Sequence, residues 1–144
     1  MDRFIEFAVN HWVLITLFFA LLLALLVTES RRGGRTVSSQ QLTHLANHEG
    51  AAIIDVRETV DYQAGHITGS INVPYTRLKD NIVEIEQYKE QPVVLVCKVG
   101  QHSGEAGRAL NSQGFVDVRR LSGGIAGWKA DGLPLIKASY TNCQ

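Results

Sequence analysis

The chain has 144 residues, 14 basic and 14 acidic side chains, and 45% hydrophobic residues. This length allows one ordinary domain plus a short appendage, and the composition is not that of a disordered chain. After residue 35 there are 10 Lys and Arg against 11 Asp and Glu, so there is no basic field to attract nucleic acid, and no nucleic-acid partner is expected.

The first predicted element is a transmembrane helix. No charged residue occurs from Phe7 to Thr28, and the core of this stretch is apolar on every face. At about 1.5 Å per residue it is roughly 33 Å long, which is enough to cross a hydrocarbon core of about 30 Å. A cleaved signal peptide is the alternative, but the first six residues are more acidic than basic and no clear cleavage site follows. We therefore predict a single-pass helix within residues 1–30 that contacts the lipid bilayer over residues 7–28.

Basic residues on the two sides of this helix predict its orientation. Three arginines follow the helix and one precedes it; they are Arg31, Arg32 and Arg35, and Arg3. Because basic flanks are retained in the cytoplasm, we expect a protein of the inner (plasma) membrane with its N-terminus outside and its soluble domain in the cytoplasm. Residues 31–35 contain two glycines and predict a short flexible hinge.

Residues 36–136 predict one α/β domain, because short β-branched runs alternate with helical stretches, as in a parallel sheet flanked by helices. The predicted strands are 35–37, 51–56, 70–73, 93–96 and 115–121. Helices are predicted after a cap at Ser38 or Ser39, over 76–88, and from the cysteine loop to Gly114. Residues 137–144 predict a loose tail.

Cys97 is the candidate nucleophile. The apolar run of residues 92–96 delivers it into a loop that contains Gly100, and a helical sequence follows at once. Backbone N–H groups of such a loop, with the positive end of the helix, stabilise an anion and therefore favour a thiolate. A small buried hydrophobe is the competing interpretation of a lone cysteine at the end of a core strand.

Asp55 and Arg57 end another predicted strand and should lie at the same sheet edge as Cys97. A structural role is favoured for both, since an Asp at a strand end satisfies loop N–H groups and a nearby Arg pairs with an acid. His66 is expected to hold a turn. Gly123, Gly124 and Gly127 are expected to provide tight turns and close approach, with Trp128 covering the core edge.

The second cysteine, Cys143, is interpreted as a bystander in the tail, and a resolving role for its thiol is the alternative. A reducing cytoplasm argues against a disulfide with Cys97. No second Cys or His lies at metal-ligand spacing from Cys97, so neither a metal nor a cofactor is expected.

Four segments in order resemble the rhodanese family: residues 53–58, 65–74, 93–103 and 121–135, with the sequences IIDVRE, GHITGSINVP, VVLVCKVGQHS and LSGGIAGWKADGLPL. With the preceding helix, the chain is similar to small membrane-anchored bacterial members of that family. The resemblance implies a five-stranded parallel sheet flanked by helices. It also implies a cysteine that takes sulfane sulfur as a persulfide, from thiosulfate or another persulfide, and passes it to a thiol or other thiophilic acceptor.

The family's active loop has six residues starting at the cysteine, often with Arg at the second and last positions. Here the substrate-binding loop after Cys97 is Lys98, Val99, Gly100, Gln101 and His102, followed by Ser103. Lys98 keeps a positive charge but lacks the planar pair of N–H donors of an arginine. His102 has an imidazole, which is not permanently charged as a guanidinium is. We therefore expect thiosulfate to bind more weakly than in a loop with two arginines.

Three interpretations of this loop can be compared. A cysteine phosphatase needs Arg six positions after its cysteine, where this chain has Ser103, and Arg108 is too far along the helix to replace it. Two hypotheses remain. The first is a membrane-tethered sulfurtransferase that acts through Cys97, and the second is a catalytically weak module that binds protein partners at the membrane.

Overall fold

The computed structural model describes residues 1–137, without the side chains of residues 30–32. It divides into two compact units between residues 31 and 32. The predicted tail beyond residue 137, including Cys143, lies outside the described residues.

The N-terminal unit consists of two helices, α1 (Asp2–Asn10) and α2 (Trp12–Arg32). They are separated at His11, whose N–H donates to the Phe7 carbonyl at 3.0 Å. The segment Trp12–Glu29 of α2 has a mean hydropathy of 2.4 with none of it buried, so by length and composition it could cross a membrane. The predicted apolar stretch of residues 7–28 is not one helix. Its first residues belong to α1, and its residues from Trp12 onward belong to α2.

The second unit is an α/β domain with five parallel strands: β1 (Arg35–Val37), β2 (Ala52–Asp55), β3 (Ile71–Asn72), β4 (Pro92–Val96) and β5 (Asp117–Leu121). Their order in the sheet is β1-β5-β4-β2-β3, which places β4 at the centre. The predicted sheet of five parallel strands is confirmed, although three strands are shorter than predicted. β4 is buried on both faces, which explains its contiguous apolar sequence.

Helices cover both faces of the sheet: α3 (Ser39–His48), α4 (Thr59–Ala64), α5 (Ile82–Ile85), α6 (Gln101–Ser112) and α7 (Gly124–Ala130). Ser38, not Ser39, caps α3. The Ser38 hydroxyl accepts from the Gln41 N–H at 3.2 Å, and the Gln41 side chain accepts from the Ser38 N–H at 2.9 Å, which is a capping box.

The prediction of one helix over 76–88 is wrong. Two 3₁₀ turns (Tyr75–Arg77 and Glu86–Tyr88) flank the single turn of α5. Asp80 and Asn81 interrupt the helical pattern, since short polar side chains favour turns over helix interiors. The apolar spacing nevertheless places Leu78 and Ile85 in the core.

The glycines expected to form a flexible hinge are packed instead. A methyl group on Gly107 of α6 would lie 2.2 Å from the carbonyl oxygen of Gly33, and one on Gly34 would lie 2.4 Å from that of Val118. The backbone of Gly33 thus lies directly against α6. Glycine is required here because it allows two backbones to approach closely, and not because it makes the chain flexible.

Candidate active site

Cys97 follows β4 directly and lies at the start of a short loop that ends at α6. Gly100 is the N-cap of α6 with φ of +97°, a conformation that favours glycine. This conformation turns the Gly100 N–H toward the Cys97 Sγ, to which it donates at 2.7 Å. Cys97 as a whole residue is only 3% exposed. The predicted loop geometry therefore supplies a backbone donor to the sulfur atom.

The N-terminal turn of α7 holds the cysteine loop from the other side. The Ile125 N–H donates to the Cys97 carbonyl at 2.8 Å, and the Ala126 N–H donates to the Lys98 carbonyl at 3.1 Å. Gly124 (φ +58°) allows this contact, because a methyl group there would lie 2.2 Å from the Cys97 oxygen. The sequence predicts close backbone approach at these glycines. It does not predict that the cysteine loop is the segment that approaches them.

Asp55 and Arg57 lie at the same sheet edge, because Asp55 is in register with Val96 at the end of β4. The Arg57 Nε donates to Oδ1 of Asp55 at 3.0 Å, and Nη2 donates to Oδ2 at 2.7 Å and to the Gly65 carbonyl at 2.7 Å. The two side chains are 7% and 1% exposed for Arg57 and Asp55. The Arg57 guanidinium thus forms its hydrogen bonds within the domain, to Asp55 and Gly65.

His66 has the expected role in a turn. Its Nδ1 lies 2.8 Å from the Tyr62 carbonyl, and its ring stacks on the Tyr62 ring with centroids 3.8 Å apart. Trp128 is 7% exposed, and its indole N–H donates to the Pro134 carbonyl at 3.0 Å. Both side chains thus make structural contacts within the domain.

A cavity of about 280 Å³ opens above Cys97 and is here named the cysteine cavity. Its lining includes four of the predicted loop residues: Lys98, Val99, Gln101 and His102. Gly100 and Ser103 line a separate cavity on the other side of the loop. The Ser103 side chain is 1% exposed and donates to the Gly100 carbonyl at 2.9 Å, so it braces the loop and does not line the cysteine cavity.

Five residues that line the cysteine cavity were not predicted: Val56, Glu58, Asp61, Tyr75 and Thr76. The Tyr75 ring stacks on the His102 imidazole with centroids 5.3 Å apart. Its hydroxyl donates to Glu105 at 2.5 Å, and this hydrogen bond raises the pKa of Tyr75. The only sequence signal for these residues was position, since they follow β2 and β3 at the carboxyl edge of the sheet.

Several known proteins are similar to this chain in sequence. Residues 38–131 match the rhodanese-like domain. The uncharacterized protein YibN of Escherichia coli K12 is 35% identical over 141 residues, covering 95% of this chain and 99% of that protein. The thiosulfate sulfurtransferase GlpE of Pseudoalteromonas translucida is 36% identical over 94 residues, covering 65% of this chain and 88% of that protein.

Solved structures agree with the sequence relatives. A rhodanese-related protein of Thermoplasma volcanium superposes with a TM-score of 0.65 at 25% identity, covering 72% of this chain and 99% of that one. A thiosulfate sulfurtransferase of Pseudomonas aeruginosa superposes with a TM-score of 0.67 at 26% identity, covering 78% of this chain and 22% of that one. Together with the central β4 and the cysteine loop that follows it, these matches show that the chain belongs to the rhodanese-like family.

Proposed function

We propose that this protein is a membrane-anchored sulfurtransferase that carries sulfane sulfur as a persulfide on Cys97. The observation that carries the proposal is the hydrogen bond from the Gly100 N–H to the Cys97 Sγ at the base of the cysteine cavity. A backbone donor at this distance stabilises negative charge on the sulfur. The relatives named thiosulfate sulfurtransferase support the same chemistry.

The reaction needs no external oxidant or reductant. The Cys97 thiolate attacks the outer sulfur of a donor R–S–SH, a new S–S bond forms, the old S–S bond breaks, and R–S⁻ leaves. With thiosulfate the leaving group is sulfite. In the second half, an acceptor thiolate attacks the outer sulfur of the Cys97 persulfide, and the Cys97 thiolate leaves. The loop donor stabilises the sulfur anion at the start and at the end.

Lys98 and His102 provide the polar side chains that meet an incoming anion in the cysteine cavity. Arg57 also lines this cavity, but its guanidinium already binds Asp55 and the Gly65 carbonyl. Anion binding therefore depends on one ammonium group and one imidazole in addition to backbone N–H groups. This composition favours a donor whose sulfur end carries less negative charge than thiosulfate.

For its location we propose the inner membrane, with α2 as a single-pass anchor and the domain in the cytoplasm. The hydropathy of Trp12–Glu29 and the arginines that follow it support this placement. A reducing cytoplasm also keeps a free thiol available for transfer. The sulfur donor and thiol acceptor would then meet the enzyme at the inner membrane face.

A second proposal is that the domain is a catalytically weak module that binds protein partners at the membrane. The observation that favours it is the loop composition, in which Lys98 and His102 stand where the family often has arginines. In that case Cys97 has only a packing role, consistent with its burial. The two proposals differ in what happens when the sulfur atom is replaced.

The deciding experiment is intact mass of the full chain in a non-ionic detergent after treatment with thiosulfate and, separately, with a low-molecular-weight persulfide. We expect a gain of one sulfur atom that reductant reverses. Cys97→Ser should abolish the gain, and Cys143→Ser, the matched control, should retain it. No gain from either donor, or an equal gain in Cys97→Ser, would reject the sulfurtransferase and favour the partner-binding module.

A further inference from the structure

A second cavity adjoins the cysteine cavity and is not explained by transfer from thiosulfate. It has a volume of about 390 Å³ and shares four lining residues with the cysteine cavity: Arg57, Asp61, Lys98 and Val99. Its remaining lining comes from Ala64 and Gly65 at the end of α4, from α7 and from the segment that follows α7, which includes Lys129, Leu135 and Lys137. Segments far apart in the sequence thus line two adjoining cavities, and Cys97 lines the first of them. We name the second space the lysine cavity.

The side chains that line the lysine cavity carry a net positive charge. Lys98, Lys129 and Lys137 line it, and among residues 1–137 none of these three side chains forms an ion pair with a carboxylate. Arg57 contributes no net charge, because buried Asp55 neutralises it. Positive groups that converge on a concave surface attract anions more strongly than the same groups scattered on a flat one.

One acidic residue, Asp61, lines both cavities. The arrangement therefore complements a ligand with several carboxylates and one ammonium group. The apolar floor, formed in part by Ile125 and Leu135, suits a short aliphatic backbone. An amino-acid or small peptide ligand has this combination of groups, whereas thiosulfate has neither an ammonium group nor an aliphatic part.

We propose that the lysine cavity binds the zwitterionic body of a small peptidic thiol or its persulfide, and that the sulfur end of this ligand extends into the cysteine cavity. The carboxylates would bind the three lysines, and the ammonium group would bind Asp61. The inference rests on the proposed sulfurtransferase activity of Cys97 and names the class of its donor or acceptor. Drug-sized ligands occupy cavities of about 300–1,000 Å³, a range that the two adjoining cavities reach together.

The transfer step is balanced with this ligand as R. The Cys97 thiolate attacks the outer sulfur of R–S–SH, the Cys97 persulfide forms, and R–S⁻ remains bound by its carboxylates in the lysine cavity. In the opposite direction R–S⁻ attacks the persulfide and leaves as R–S–SH. No other oxidant, reductant or proton source is required beyond solvent.

The kinetic test uses glutathione persulfide as the probe, with the full chain in a non-ionic detergent and Cys97 loading followed by intact mass. For Lys129→Gln/Lys137→Gln we expect the half-saturating probe concentration to rise about tenfold, because two charge-assisted contacts are lost, with the maximal rate retained. Loading by thiosulfate should be unchanged. Arg77→Gln/Lys89→Gln, which removes two positive charges outside both cavities, is the matched control and should behave like the parent chain.

A second probe separates charge from shape. The diethyl ester of glutathione persulfide lacks both carboxylates, so its loading of the parent chain should be about tenfold less efficient and insensitive to the lysine substitutions. Equal effects of Lys129→Gln/Lys137→Gln on the ester and on the acid would overturn the proposal. So would equal effects of the lysine pair and the control pair.

Binding measured without chemistry separates this inference from the proposed function. S-methylglutathione cannot transfer sulfur, and its binding to the full-length Cys97→Ser chain can be measured by calorimetry. We expect saturable binding that weakens about tenfold in Lys129→Gln/Lys137→Gln and with rising salt, which screens exposed charges. Absence of binding would overturn the inference even if Cys97 accepts sulfur. Binding without any loading of Cys97 would support the cavity assignment while rejecting the sulfurtransferase.

Discussion

The loops that follow β2 and β4 end at the same sheet edge and use their polar residues in opposite ways. After β2, Arg57 binds the carboxylate of Asp55 and the carbonyl of Gly65, and both charged side chains are buried. After β4, the side chains of Lys98 and His102 are exposed, and the backbone N–H of Gly100 binds the sulfur. One loop stabilises the domain, and the other leaves its charges available to a ligand. Both loops place charged side chains at this sheet edge, and they differ in whether those side chains are buried.

The largest effect should come from breaking the buried pair. Arg57→Met leaves the Asp55 carboxylate buried without its partner, so the free energy of unfolding should fall by about 3–5 kcal/mol. The measurement is denaturant unfolding of the full chain in detergent, followed by Trp128 fluorescence in a Trp12→Phe background. Arg119→Met is the control, because the Asp117–Arg119 pair has the same spacing but is 36% and 26% exposed. That change should lower stability by less than about 1 kcal/mol, and equal losses would contradict the importance of burial.

The next effect concerns the support of the cysteine loop by α7. In Gly124→Ala the new methyl group would lie 2.2 Å from the Cys97 oxygen, so the loop must shift and the rate of persulfide formation should fall about 100-fold. Gly50→Ala is the matched control, since Gly50 also has positive φ (+65°) but no neighbouring atom within 4 Å. Loading rates followed by intact mass should be normal in Gly50→Ala. A normal rate in Gly124→Ala would show that α7 does not position the nucleophile.

The smallest of the three effects should come from the charge of the cysteine loop. His102→Arg adds a permanent positive charge in the cysteine cavity and keeps a planar group beside Tyr75. The catalytic efficiency with thiosulfate at pH 8 should rise about tenfold, as expected for one added charge-assisted contact. His48→Arg adds the same charge on an exposed face of α3 and should have no effect. If His102→Arg matches the parent chain, anion binding is not what limits this loop.

Some parts of this site were predictable because their signals are local. The contiguous apolar residues of β4 predict a strand buried on both faces, and the next positions then place Cys97 and Gly100 at its carboxyl end. The roles of Asp55 and Arg57 were also predictable, since they are two residues apart and their charges are complementary. In each case the atoms that interact are close in the sequence, so residue type and spacing carry the information.

Other features depend on residues that are distant in the sequence. The helical spacing over 76–88 correctly places Leu78 in the core, but the continuous helix it predicts is replaced by short turns. The packing of Gly33 against Gly107 could not be predicted from the sequence. Two glycines beside arginines look the same in the sequence whether they form a flexible hinge or pack against a helix. Tertiary contact decides such cases, since local preferences there are weak.

The sequence by itself thus determined the α/β class, the order of the strands along the chain, the apolar helix near the N-terminus and the cysteine at the carboxyl end of a buried strand. Hydrophobic periodicity and short turn motifs report these features because they arise within a few neighbouring residues. Only the tertiary structure decided that α7 holds the cysteine loop, that Ser103 turns away from the cysteine cavity, and that Lys98 shares a recess with Lys129. Those arrangements join separate segments of the chain, and their geometry exists only after the helices have packed on the sheet.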